Sequence, residues 1–253
     1  MLKQISLLIL CAVAIVLFAT PVHACTSAVV SGKVTLDGRP LLWKNRDTDF
    51  MRNHVDYVKG ERYDFIAVVN SANAYLKEAW MGTNSAGFAL MNTQSYNLVD
   101  VKGDEERGAA NGRVIYRALE VCATVEDFCH FLDTISKPSD IEANFGVIDA
   151  QGGAAMFEVD YYKYVMYDAN NPKDAPYGYI ARTNFSFAGK VNEGAGYVRY
   201  MEADQVLMKA SATGNITPQF IFNDLSRSFR NRMLDIDLRS GGYNRPQASG
   251  WFI

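Results

Sequence analysis

The chain has 253 residues with 25 basic and 28 acidic side chains, a formal net charge of −3. So small a net charge, and an acidic one, gives no sign of a nucleic-acid partner. Hydrophobic content of 49% beside 21% charged residues excludes a disordered or low-complexity chain and allows a buried core.

The chain opens on Lys3, an unbroken apolar run of thirteen residues from Leu7 to Ala19, the breaker Pro21 and the small-residue triplet Val22-His23-Ala24. This is the layout of a secretory signal peptide over residues 1–24. Its apolar run is shorter than the roughly 20 residues a spanning helix needs. No later stretch is apolar enough, so no membrane span is expected, and the mature protein is read as exported, either periplasmic or secreted. A lipoprotein signal is the alternative reading of the same junction, since it too is cut before a cysteine, although the polar His23 fits it poorly. That alternative makes the chain a lipidated surface binding protein with no chemistry of its own.

Lys3 is the sole charged residue of the leader, so residues 25–253 keep 24 basic and 28 acidic groups on 229 residues, enough for one large domain. They also keep Cys25, Cys122 and Cys129, an odd number that leaves at least one thiol unpaired in an oxidising compartment. Cys122 and Cys129 flank a helix break at 123–127, where Thr124 and Asp127 suit a capping box. A disulfide and two buried thiols are both open there; on one continuous helix the pair would stand about 10 Å apart, too far to bond. The mature histidines are His54 and His130, and neither lies in a motif for activating a thiol. Cleavage after Ala24 would supply another base, because Cys25 then carries a thiol and a free α-amine on one Cα.

Strands are expected at Thr26 to Ser31, Leu41 to Lys44, Phe65 to Val69 and Gly87 to Asn92, with a turn at Leu36-Asp37-Gly38. The continuous apolar run Phe65 to Val69 indicates a strand covered on both faces. Helical spacing of Val114, Ile115, Ala118, Leu119 and Cys122 predicts one helix, and a second follows from Val125 to about Ile135. Strands return at Phe145 to Asp149 and Ala154 to Val159 around the hairpin signal Gln151-Gly152-Gly153, then at Tyr161 to Tyr167 and Tyr179 to Thr183. Tyr197, Tyr200, Met201, Ala203, Leu207 and Met208 mark another amphipathic helix, and Pro218 opens a last one. Strands, a helix pair, strands and helices together describe an α+β fold of two sheets with helices outside. The glycine- and proline-rich end, Gly241 to Ile253, stops where a strand would begin, so one or more closing strands are expected to be missing.

Cys25-Thr26-Ser27-Ala28-Val29-Val30, Trp43-Lys44-Asn45-Arg46-Asp47, Gly87 to Asn92 and Arg182-Thr183-Asn184 occur in that order. In these motifs the chain resembles the N-terminal nucleophile hydrolases of the choloylglycine hydrolase and penicillin V acylase group and their relatives, the acyl-coenzyme A:6-aminopenicillanic acid acyltransferases. The resemblance implies a four-layer αββα sandwich of mainly antiparallel sheets over 25–253. It also implies hydrolysis of a linear, non-peptide amide C–N bond through a thioester on Cys25, with acyl transfer as the alternative outcome.

It further assigns roles: Cys25 as nucleophile, Asp47 as a carboxylate beside it, and Asn92 and Asn184 as amides flanking the reacting carbonyl. Each asparagine ends a predicted strand, where Asn is also a common turn former. Asn184-Phe185-Ser186 reads in addition as a glycosylation acceptor. Lys44, Arg46 and Arg199 are the implied substrate-binding residues. Lys44 departs from the family, which usually has arginine three residues before the aspartate, and lysine lacks the fork that grips a carboxylate. In a continuous strand Lys44 and Arg46 share a face while Asp47 points to the other. No cofactor and no metal are called for; the expected partner is a small N-acyl amide, and a homo-oligomer stays open.

Overall fold

The computed structural model describes residues 25–48, 50–99 and 108–237. The leader 1–24 and the closing segment 241–253 lie outside these. Among the described residues there are twelve strands, β1 Thr26–Val30, β2 Leu41–Asn45, β3 Asn53–Val58, β4 Phe65–Asn70, β5 Met81–Asn84, β6 Ala89–Gln94, β7 Ala143–Ile148, β8 Ala154–Val159, β9 Tyr164–Asp168, β10 Tyr179–Arg182, β11 Arg230–Asn231 and β12 Ile236–Asp237. Four α-helices accompany them, α1 Asn111–Val121, α2 Val125–Thr134, α3 Tyr197–Ala212 and α4 Pro218–Asn223.

Strands β3 to β9 form a seven-stranded antiparallel sheet in sequence order, while β1 lies between β10 and β2 in a three-stranded one. Alternation along β1 assigns the layers: Ala28 and Val30 pack with Ala203, Leu207 and Ile221 of α3 and α4, whereas Val29 meets Met91 and Met156 of the opposite sheet. On the far side, α1 and α2 cover the large sheet through Ile115, Leu119, Phe128 and Leu132. The order is therefore helix, sheet, sheet, helix. Phe128 sits at the centre of its layer, with ring centroids 5.0 Å from Phe157 and 5.9 Å from Phe145. Burying one such side chain contributes roughly 1.5–3 kcal/mol.

The elements expected from periodicity are present within a few residues. Strand β6 begins at Ala89 rather than Gly87, because Gly87 has φ +81° in a turn where Asn84 Oδ1 accepts from the Ala86 and Phe88 amides. Strand β9 begins at Tyr164 because Asp160 Oδ1 takes the amides of Tyr162 and Lys163 and holds a turn there. Four strands were not expected, the partly exposed edge strand β3, the short β5, whose sequence is Met-Gly-Thr-Asn, and the two-residue β11 and β12. The capping box at Thr124 and Asp127 opens α2, and Cys122 and Cys129 on either side of it are both free thiols. Burial pushes the Cys122 thiol up to about 12, which keeps it protonated and unreactive.

Candidate active site

Cys25 directly precedes β1, and because β1 is the middle strand of its sheet the residue is buried, 7% exposed. Thr26 pairs with Asn45, so the chain leaving β2 passes alongside Cys25. The strand ends there, and the Asp47 carbonyl comes to 3.9 Å from Cys25 Sγ. Lys44, still inside β2, and Arg46 and Asp47, just beyond it, all line one cleft of about 380 Å³ together with Cys25 and Asn92. The chain turns after Asn45, which brings Asp47 to the same cleft as its neighbours.

Two arginines and a lysine are buried around the thiol. Lys44 Nζ donates to the Trp80 carbonyl and to Asn92 Oδ1, 3.0 Å each. Burial pushes its ammonium down from 10.5 to about 8; the charge of an ionised Cys25 opposes this and Arg46 adds to it. Arg46 donates Nη1 to Asn53 Oδ1 and Nη2 to Asn70 Oδ1 at 2.8 Å, with its guanidinium 5.0 Å from the Trp80 ring centroid. Burial also lowers it, to about 10.

Asn92 is 3% exposed on β6. With Oδ1 turned to Lys44, its Nδ2 makes no hydrogen bond to the described residues and belongs to the cleft wall. Asn184 is oriented otherwise. Its Oδ1 accepts from the Cys25 nitrogen and from Arg199 Nη2, 2.8 Å each, and its Nδ2 donates to the Gln94 carbonyl at 2.8 Å. Two pure donors on one side and a carbonyl on the other fix which way this amide faces. It therefore addresses the nitrogen of Cys25, where the resemblance implied a donor to the reacting carbonyl. Being fully buried, it is closed to glycosylation in this fold.

Arg199 lies behind Cys25, not on the cleft wall. It sits in the first turn of α3 and donates Nη1 to the Cys25 carbonyl and, at 2.9 Å, to Thr26 Oγ1. Both of its terminal nitrogens are engaged by protein atoms, so it holds the Cys25 backbone where a substrate contact was expected. Gly196, φ +88°, permits the approach: a Cβ there would stand 2.3 Å from Arg199 Nη2. Burial lowers Arg199 to about 10, opposed by Cys25, Asp47 and Tyr96.

The loop carrying Asn184 is fixed from β8. Glu158, fully buried, pairs with Arg182 at 2.6 Å and accepts from the amides of Phe187 and Ala188. Sequence reasoning missed this support, and also Asn70, Trp80 and Gln94. Asn70 carried the same signal as Asn92, an asparagine closing an apolar strand, whereas Trp80 and Gln94 act through backbone carbonyls that no side-chain pattern announces. Among the described residues no group of three or more His, Cys, Asp or Glu is placed to hold a metal, and no helix is long and apolar enough to cross a membrane.

The family model for acyl-coenzyme A:6-aminopenicillanic acid acyl-transferase matches residues 35–224, a segment that begins ten residues after Cys25 and contains the other site residues. No curated protein matches the sequence. Among solved structures, a Caenorhabditis elegans N-acylethanolamine-hydrolyzing acid amidase ortholog is similar with a TM-score of 0.52 at 15% identity, covering 79% of this chain and 89% of that one. A single-residue variant of a conjugated bile acid hydrolase from Clostridium perfringens also gives a TM-score of 0.52, at 13% identity, covering 83% of this chain and 82% of that one.

Proposed function

Because this chain belongs to the acyl-coenzyme A:6-aminopenicillanic acid acyl-transferase family and has the N-terminal nucleophile hydrolase fold, we propose that it is an exported amidase that hydrolyses a linear N-acyl amide through a thioester on Cys25. The observation that carries the reading is the hydrogen bond from the Cys25 nitrogen to Asn184 Oδ1. Cleavage of the Ala24–Cys25 bond turns that nitrogen into an α-amine with an ordinary pKa near 8. Asn184 then holds one N–H, which aims the amine's lone pair at its own thiol.

The amine takes the thiol proton, directly or through one water, and the thiolate attacks the acyl carbon. Nδ2 of Asn92, with a backbone N–H, donates to the developing oxyanion, an interaction of roughly 3–4 kcal/mol when preorganised. Lys44, Arg46 and Arg199 surround the site with positive charge while Asp47 balances it. The protonated amine gives its proton to the departing nitrogen, and the thioester remains. Water resolves it in hydrolysis; an acceptor amine resolves it in acyl transfer.

The cleft wall presents Phe50, Leu76 and Trp80 to the acyl group, and the substrate class includes bile-salt conjugates, penicillins, acylated lactones and N-acylethanolamines. The processed protein is expected to release free amine from members of such a panel, and Cys25→Ala to release none. Equal turnover by wild type and Cys25→Ala would refute the assignment. Adding a primary amine acceptor and measuring its acylation separates hydrolase from transferase.

A further inference from the structure

Lys44 is more than a charge in the cleft. It starts on β2 of the small sheet and ends against the Trp80 carbonyl and Asn92 Oδ1 of the large one, so its stem bridges the two sheets beside the nucleophile. A protonated ammonium has three donors and no acceptor. Facing one, Asn92 can present only its oxygen, which turns its NH₂ the other way. A neutral amine keeps two N–H donors and gains a lone pair, so with one N–H on the Trp80 carbonyl it can meet either the oxygen or the NH₂ of the amide and no longer dictates which.

We propose that Lys44 is the positioning residue for Asn92, and that its charge selects the amide orientation that offers an N–H to the reacting carbonyl. The inference rests on the Cys25 reading above and deepens it. The lysine that departs from the family's arginine thereby acts on the oxyanion through Asn92, and its two acceptors leave it no fork with which to grip a substrate carboxylate. The charge is also within reach of titration, since burial has brought it to about 8. The charged and titratable groups that line its cleft are Cys25, Arg46, Asp47, Glu78 and Arg113, of which Cys25 and Arg46 act on its charge.

The test is a double-mutant cycle with a pH profile on the processed, full-length protein. Lys44→Met should lower kcat by about 10- to 100-fold, a part of what one oxyanion donor is worth, with KM little changed. Lys44→Met combined with Asn92→Ala should be no slower than Asn92→Ala alone, because Lys44 acts through that amide. The alkaline limb of kcat should disappear in Lys44→Met and move to higher pH in Lys44→Arg. A rise in KM at constant kcat, or multiplicative losses in the double variant, would overturn the proposal. If Lys44→Met does not fold, Lys44→Gln keeps a donor without the charge and reads the same limb. The side-chain amide resonances of Asn92 supply a readout free of activity. They should shift through about pH 8 in wild type and stay constant in Lys44→Gln; resonances insensitive to both would equally overturn it. Absence of turnover in wild type with these shifts intact would count against the Cys25 reading alone.

Discussion

A guanidinium in the first turn of a helix opposes the helix dipole, and burial there adds a desolvation cost. Arg199 accepts both, and its bonds to the Cys25 carbonyl, Thr26 Oγ1 and Asn184 Oδ1 are what that position supplies. Lysine cannot reproduce a three-acceptor fork, so Arg199→Lys is expected to lower kcat by about 10- to 100-fold, the range for partners that orient a reacting group. Steady-state kinetics checks this; wild-type kcat in Arg199→Lys would mean that charge alone suffices. Lys44 makes the complementary prediction on stability. Its pKa is depressed on folding, so between about 8 and 10.5 the unfolded chain binds more protons than the folded one, and stability rises with pH across that window. Urea unfolding at about pH 7.5 and about pH 10 should show wild type gaining stability relative to Lys44→Met across that interval, a difference in which the opposing contribution of the raised Cys122 thiol cancels. At this scale the sequence named Cys25, Lys44, Arg46, Asp47 and Asn92, and the fold gathers all five in one cleft. It did not reveal how Asn184 and Arg199 face, because that depends on the Gln94 and Cys25 backbones, 90 and 174 residues away along the chain.

Among the elements, the loop after β10 matters most, since it holds Asn184 against Cys25. Its anchor is the Glu158–Arg182 pair, with side chains 0% and 3% exposed. Arg182 is further placed 3.8 Å from the Phe187 ring centroid and 5.0 Å from that of Tyr167. Removing one partner of such a pair leaves a buried charge uncompensated. Glu158→Leu is therefore expected to cost about 3–5 kcal/mol, measured by chemical denaturation, and a loss below about 1 kcal/mol, the level of an exposed pair, would contradict the account. Strands β7 and β8 were legible because they are buried on both faces. Strand β4 was legible from its apolar run Phe65 to Val69, but it buries Phe65, Ala67 and Val69 on one face and leaves Ile66 on the other 46% exposed, so the cover expected on both of its faces is not there. Strand β3 was not legible, because it is an edge whose His54, Val55 and Tyr57 stay exposed. Strand β5 was hidden by Gly82, where a Cβ would stand 2.6 Å from the Ile66 carbonyl. A residue required by close packing is read in a sequence as a turn former.

For the whole molecule, the sandwich places Cys25 at the head of the middle strand of one sheet and sets Asn92 opposite it on the other, with Lys44 spanning the gap. Neither sheet alone contains the site. The layer order was inferable from strands and helices in succession, but the orientation of one sheet over the other is a tertiary property that periodicity does not carry. The proposed cleavage before Cys25 would free a nitrogen that donates to Asn184 Oδ1. Intact mass spectrometry of the purified protein, before and after brief exposure to an N-acyl amide, tests this directly. The account predicts a chain beginning at an unmodified Cys25 that gains the mass of one acyl group, and no such gain in Cys25→Ala. A diacylglyceryl mass on Cys25, or a correctly processed chain that never acquires an acyl group from any substrate of the class, would contradict it.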